Sequence, residues 1–134
     1  MHLRHVTVGA GSSMGGDDPT ISDAVRFGDL VFLSGRAAVD PATLKIATDD
    51  FAEQALVVLR DIEAVLLEAG SDWRHVLRIE CFLADAADFP AWNRIWRERF
   101  DAPRPARTTV VTEFAIPGIL IELQVTAGVV GVEP

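Results

Sequence analysis

Between residues 76 and 83 the hydrophobic period is two. Leu77, Ile79, Cys81 and Leu83 alternate with Arg78, Glu80 and Phe82, which predicts a strand with one buried face. On either side of it the period becomes helical. Asp50 to Ala69 carries Phe51, Ala55, Leu59, Ile62, Leu66 and Ala69 at helical spacing, opens on acidic residues that suit a helix N-terminus, and stops at Gly70. From Asp88 to about Phe100 an aromatic stripe of Phe89, Trp92, Trp96 and Phe100 marks a second helix, with Pro90 tolerable in its first turn. A one-faced strand between two one-faced helices buries its apolar side against theirs, so the chain is constrained to a layer of helix on a layer of sheet.

The other segments supply more strands. A short one is expected at Val6 to Val8, and a hairpin joins Ala24–Phe27 to Leu30–Ser34 through Gly28-Asp29. A second hairpin is expected where Thr108–Phe114 and Ile119–Ala127 flank the turn Ile116-Pro117-Gly118. In the last strand Ile119, Ile121, Leu123, Val125 and Ala127 share one face, so Glu122, with Leu120, Gln124 and Thr126, points to the other. The order predicts an α+β fold: a single mixed β-sheet with two α-helices packed on one face. At 134 residues this is one domain, interrupted by a Gly/Ser-rich segment at about 9–19 that reads as a mobile loop. With only two helices, the sheet's second face, carrying Phe82, Val110, Thr112 and Leu120, stays partly apolar, which predicts oligomerisation through it.

Several function classes are disfavoured. A net charge of −8 and the lack of a basic stripe argue against a nucleic-acid partner. No apolar run is long enough to span a membrane, and the first residues lack the apolar core of a signal peptide, so a cytoplasmic location is expected. Cys81, the single cysteine, excludes an internal disulfide framework and falls on the apolar side of its strand, as a core residue rather than a nucleophile. His2, His5 and His75 are too scattered to predict a metal site. The glycines of 9–19 lack the Gly-Lys-Ser/Thr of a phosphate cradle, and no Gly-x-Ser-x-Gly elbow occurs.

What remains is Pro103-Arg104-Pro105-Ala106-Arg107-Thr108-Thr109, where proline fixes the backbone just before a strand and aims Arg107 from a defined position. A guanidinium matches a carboxylate with two parallel hydrogen bonds, whereas lysine offers a point charge. Taken alone, the pattern fits a carboxylate grip or an arginine solvated or paired at the surface.

Phe32-Leu33-Ser34-Gly35, Asp40-Pro41, Gln54, Glu68-Ala69-Gly70, Asp88-Phe89, Asn93, Pro105-Ala106-Arg107 and Ile121-Glu122, in this order and spacing, resemble the Rid family of enamine and imine deaminases. Older labels for that family are YjgF and endoribonuclease L-PSP. The resemblance covers nearly the whole chain from about Ser22 onward. It implies the chorismate-mutase-like Rid fold, a homotrimer with clefts between subunits, a small carboxylate metabolite as ligand, and no cofactor. It further implies that Arg107 holds the substrate carboxylate and Glu122 orients or exchanges a proton with water. Ser34, Gly35 and Asn93 would line the same cleft, with the backbone near Thr109, where many relatives have cysteine, helping to hold the carboxylate.

Two positions depart from the family pattern. Ile21 stands where a tyrosine usually edges the pocket, which removes a hydroxyl and an aromatic wall. Arg36 stands where glutamine is frequent after Ser34-Gly35, either to accommodate a second acidic group or to form an ion pair. The resemblance therefore implies hydrolysis of small 2-imino or enamine acids to 2-oxo acids and ammonia. The alternative is a non-catalytic, small-acid-binding or regulatory trimer of the same family.

Overall fold

The computed structural model describes residues 3–6, 21–40 and 43–131. The expected loop at 9–19, His2 and the Asp40-Pro41 proline lie outside the described residues. The elements in chain order are β1 (Leu3–Val6), β2 (Ala24–Phe27), β3 (Leu30–Leu33), β4 (Arg36–Ala37), α1 (Phe51–Glu68), β5 (Val76–Leu83), α2 (Phe89–Arg99), β6 (Ala106–Val111) and β7 (Ile121–Gly128). The strands form one sheet in the order β1-β2-β3-β7-β5-β6, with β4 also paired to β7. Only β5 and β6 are parallel, so the sheet is mixed, and α2 is the crossover between them.

Local chemistry sets the ends of α1. Asp50 accepts a hydrogen bond from the Glu53 N–H at 3.0 Å, an N-cap that satisfies one of the helix's free donors. At the other end Gly70 takes φ +85°, its N–H bonds to Leu67 O at 3.2 Å, and the Ser71 N–H bonds to Leu66 O at 2.8 Å. This paired closure needs a left-handed residue, which is why the helix stops at glycine. The β2–β3 turn likewise uses Gly28 at φ 60°, a positive φ at the first central residue that matches the twist of the flanking strands.

The apolar sides of both helices and of the sheet meet in one core. Ile62 and Leu66 of α1, Trp92 of α2, Ile79 and Leu83 of β5, and Ile121, Leu123 and Val125 of β7 are all buried in it. The fully buried Gln54 pins the connection before β7 to α1. Its amide nitrogen donates to Thr48 O at 2.7 Å and Gly118 O at 3.0 Å, while its oxygen accepts from the Leu120 N–H at 2.9 Å.

Three expectations are corrected. The strands over 106–111 and 121–128 do not form a hairpin: β7 inserts between β3 and β5, and β6 pairs in parallel with the far side of β5. Burial decides this, because the strongly apolar face of β7 belongs at the centre of the sheet and β6, half exposed along its length, belongs at the edge. Leu77 is 51% exposed rather than buried, because the ladder is irregular between Val76 and Arg78 and turns Val76 inward instead. Leu120 is half-buried and packs against the core. The second face of the sheet nevertheless carries exposed Phe32 and Val110 with half-buried Phe82.

Candidate functional site

The residues singled out from sequence fall into two separate groups. The first forms where β3 passes into β4. Phe32 pairs with Thr126 and Arg36 with Leu123, so Leu33, Ser34 and Gly35 span only Gln124 and Val125 on β7. The extra residue is a bulge, and it turns Arg36 to the helix side of the sheet, where its sequence parity with Phe32 would have kept it on the open side. A cavity of about 70 Å³ opens at this bulge, and Ile21, Ser34, Gly35, Arg36 and Glu122 all line it.

Glu122 pairs with Phe82 and Ala37 across β7, and its carboxyl lies against Gly35, where a Cβ would stand 2.9 Å from Oε2 and 3.1 Å from Cδ. Half-burial raises the Glu122 carboxyl above its ordinary value through loss of hydration. No ion-pair or hydrogen-bond partner for it occurs among the described residues. The neighbouring polar groups are engaged. The Ser34 hydroxyl donates to Ser22 O at 2.6 Å, and the Arg36 guanidinium lies 3.3 Å from Asp23 and 3.8 Å from Asp61 of α1. The Asp23 side chain is only 2% exposed, so Arg36 neutralises a buried carboxylate. Ile21 sits at the rim, 41% exposed.

The second group gathers around β6. Arg107 and Thr109 pair with Ile79 and Cys81 of β5 and share their helix-side face. The Arg107 guanidinium carbon lies 5.0 Å from the ring centre of Trp96 and 5.6 Å from that of Phe89, both on α2. Two aromatic faces thus hold its plane by cation–π attraction. It has no carboxylate partner among the described residues, so its N–H fork remains available. Asn93, four residues after Phe89 and three before Trp96, lies on the same helix stripe. Beneath them Cys81 is buried, and loss of hydration pushes its thiol up, partly offset by Trp92, Thr109 and Arg107 nearby. The Trp92 Nε1 and Thr109 Oγ1 atoms are buried, and among the described residues neither has a partner at full hydrogen-bond geometry.

One chain does not bring the two groups together. Arg107 stands beside Ile79, which stands beside Val125; Glu122 is three residues further along β7, with its side chain on the opposite face. Two strand spacings and three residues of rise separate the two positions by roughly 14 Å, before the difference in face is counted.

Sequence reasoning missed three features. The Phe89–Trp96 platform lies within the aromatic stripe that marks α2, where the sequence does not separate a support for Arg107 from packing, although Phe89 is 39% exposed. Nothing in the sequence marked Asp23 and Asp61 as partners of Arg36. Nor did it mark the cavity's inner wall, because that wall comes from elements distant in the chain. Among the described residues no group of His, Cys, Asp and Glu side chains is assembled to hold a metal, and no helix is long and apolar enough to cross a membrane.

Comparison with known proteins gives a consistent result. The family described as Endoribonuclease L-PSP matches residues 19–129. A RutC family protein of Pyrococcus abyssi is 33% identical over 106 residues, 79% of this chain and 84% of its own length. Reactive Intermediate Deaminase A, chloroplastic, of Arabidopsis thaliana is 38% identical over 88 residues, 66% of this chain and 47% of its own length. The crystal structure of a YjgF family member from Neisseria meningitidis superposes with a TM-score of 0.80 at 31% identity, covering 98% of each chain.

Proposed function

The chain belongs to the Endoribonuclease L-PSP family, also called Rid or YjgF, and we propose that it is a deaminase that hydrolyses 2-imino and enamine acids to 2-oxo acids and ammonia. The observation that carries this reading is the Glu122 carboxyl: half-buried, raised by loss of hydration, unpaired among the described residues, and facing a cavity at a break in the sheet. A carboxyl in that setting is suited to exchanging a proton with water.

An imine carbon is already electrophilic, so its hydrolysis needs positioning and proton transfer more than a strong nucleophile. Arg107 holds the carboxylate of the acid in a two-bond fork, its plane set by Phe89 and Trp96. Glu122 takes a proton from a water as the oxygen adds to the imine carbon, and that proton passes to the nitrogen. Glu122, having given up the first proton, then takes the remaining hydroxyl proton and passes it to the nitrogen as the carbon–nitrogen bond breaks and the carbon–oxygen double bond forms, releasing ammonia and the 2-oxo acid. No cofactor is required by this balance.

Because Arg107 and Glu122 lie on opposite faces, the proposal places each site between two copies of the chain. One subunit supplies the β6 edge with Arg107 and Thr109, and its neighbour supplies Ser34, Gly35 and Glu122. A homotrimer that covers the open face with Phe32, Val110 and Phe82 satisfies both requirements. Asn93 and the Thr109 backbone complete the carboxylate end.

The test is a coupled assay in which a threonine or serine dehydratase generates the imine and 2-oxo acid release is followed. Wild-type protein is expected to accelerate release, and Arg107→Ala and Glu122→Gln to abolish most of the effect. Release at the uncatalysed rate with wild type would refute the reaction. A second reading, a trimer that binds small acids without turnover, is favoured by Ile21, which offers no hydroxyl at the cavity rim. Binding of 2-oxo acids without imine turnover would establish it instead.

A further inference from the structure

Behind the Glu122 carboxyl the cavity runs inward toward α1, and its inner wall is aliphatic: Leu33, Val39, Ile62, Val65, Ile116 and Ile119. The polar groups around it are committed elsewhere. Ser34 donates to Ser22 O, and Arg36 is shared by two carboxylates, so it brings no unspent positive charge to the cavity. A group entering from the mouth therefore meets the Glu122 carboxyl and the Asp23–Arg36 ion pair, and otherwise hydrocarbon.

Size narrows the class further. The cavity holds about 70 Å³. A protein cavity of about 150 Å³ accepts benzene, and a water occupies about 30 Å³ of liquid, so this one admits roughly three carbon atoms. A methyl group leaves most of the wall uncovered. A carboxylate would lose its hydration against hydrocarbon, beside carboxylates and an arginine already paired.

We infer that the acid selected here carries a branched aliphatic side chain of about three carbons, as in the 2-imino and 2-oxo acids related to valine, in preference to methyl or dicarboxylic analogues. This rests on the proposed function for the placement of the acid and imine groups, and it adds what occupies the inner wall. The departure at Arg36 then has a role. Paired with the buried Asp23, it closes one side of the cavity as an ion-paired wall, and does not recruit a second acid group.

The 2-oxo acids test this without requiring turnover. Calorimetric titration of wild-type protein with 3-methyl-2-oxobutanoate, pyruvate and 2-oxoglutarate is expected to give at least tenfold tighter binding of the branched acid than of either other one. Ile116→Phe, which fills the cavity from the half-buried connection before β7, is expected to bring the branched-to-pyruvate ratio toward one. That ratio does not depend on how much of the variant folds. Pyruvate or 2-oxoglutarate binding as tightly as the branched acid would overturn the inference, as would a ratio unmoved by Ile116→Phe. An imine-hydrolysis assay on the same protein reads the deaminase proposal separately: selective binding without turnover removes the reaction and leaves the side-chain assignment standing.

Discussion

Gly35 lies directly against the Glu122 carboxyl, so closely that a Cβ at residue 35 would stand 2.9 Å from Oε2. The atom in the way is the far end of a flexible side chain rather than backbone, so Glu122 can move aside and the fold can persist.

Gly35→Ala is therefore expected to separate activity from stability. The melting temperature should stay within a few degrees of wild type, while the displaced carboxyl lowers kcat/KM for imine hydrolysis by about tenfold or more, in the range that general acid–base groups contribute. Full activity with a well-folded protein would show that Glu122 does not need its present position.

Glu122 also makes a pH prediction whose sign follows from its shift. Its carboxyl is raised in the folded chain above the ordinary 4.5, so folding favours its protonated form. That contribution is present below about 4.5 and is lost as pH rises through the raised folded value. Glu122→Gln, which is never charged, should thus melt at a higher temperature than wild type at pH 7 to 8. The gap should close as pH falls toward 4, and a gap that widens on acidification would contradict the assigned burial cost.

At the other half of the site, Arg107→Ala should weaken 2-oxo acid binding by about one to two powers of ten, the worth of a charge-assisted hydrogen-bond pair. Arg107→Lys should recover little of it, because a lysine lacks the planar fork. Phe89→Leu removes one face of the aromatic platform from a partly exposed position and should cost about two- to fivefold in affinity with little loss of stability. Unchanged affinity in Phe89→Leu would leave Trp96 as the sole support of the guanidinium.

Both helices and β5 were legible in the sequence because each carries a strong period, and Gly28 and Gly70 marked turns that demand a positive φ. The pairing of β6 was not legible. A short link through Pro117-Gly118 reads as a hairpin, whereas the choice of neighbour is made by burial across the whole sheet, which places the more apolar β7 at the centre. The Arg36 contacts were hidden for a similar reason. Alternation along β3 and β4 predicts the open face for Arg36, and only the bulge at Ser34-Gly35 turns it toward Asp23 and Asp61. Arg107 and Glu122 were both visible as residues, but their opposite faces followed from the register across β5.

Arg36→Met tests the inward ion pair. It removes a positive charge from a buried Asp23 carboxylate while keeping most of the side-chain volume, and breaking such a pair is expected to cost about 3 kcal/mol of unfolding free energy. Urea denaturation at pH 7 measures it. A loss below about 0.5 kcal/mol would place the pair with solvated surface contacts, which contribute little.

The division of the site between subunits can be read by complementation. If Arg107 and Glu122 of one chain served the same site, mixing Arg107→Ala with Glu122→Gln protein would leave every site with one group missing, and activity would stay at the level of the single variants. If each site takes Arg107 from one subunit and Glu122 from its neighbour, unfolding and refolding the two variants together produces some interfaces with both groups intact. Random assembly in equal amounts makes that combination at about one quarter of the interfaces of a closed ring, since each of the two subunits must be of the right type. The refolded mixture should thus recover about a quarter of wild-type activity, and the same proteins mixed without refolding should recover none until subunits exchange. Light scattering on the same samples should return three times the chain mass. No recovery in properly assembled mixed trimers would show that no site takes Arg107 from one subunit and Glu122 from its neighbour, and would remove the inter-subunit mechanism.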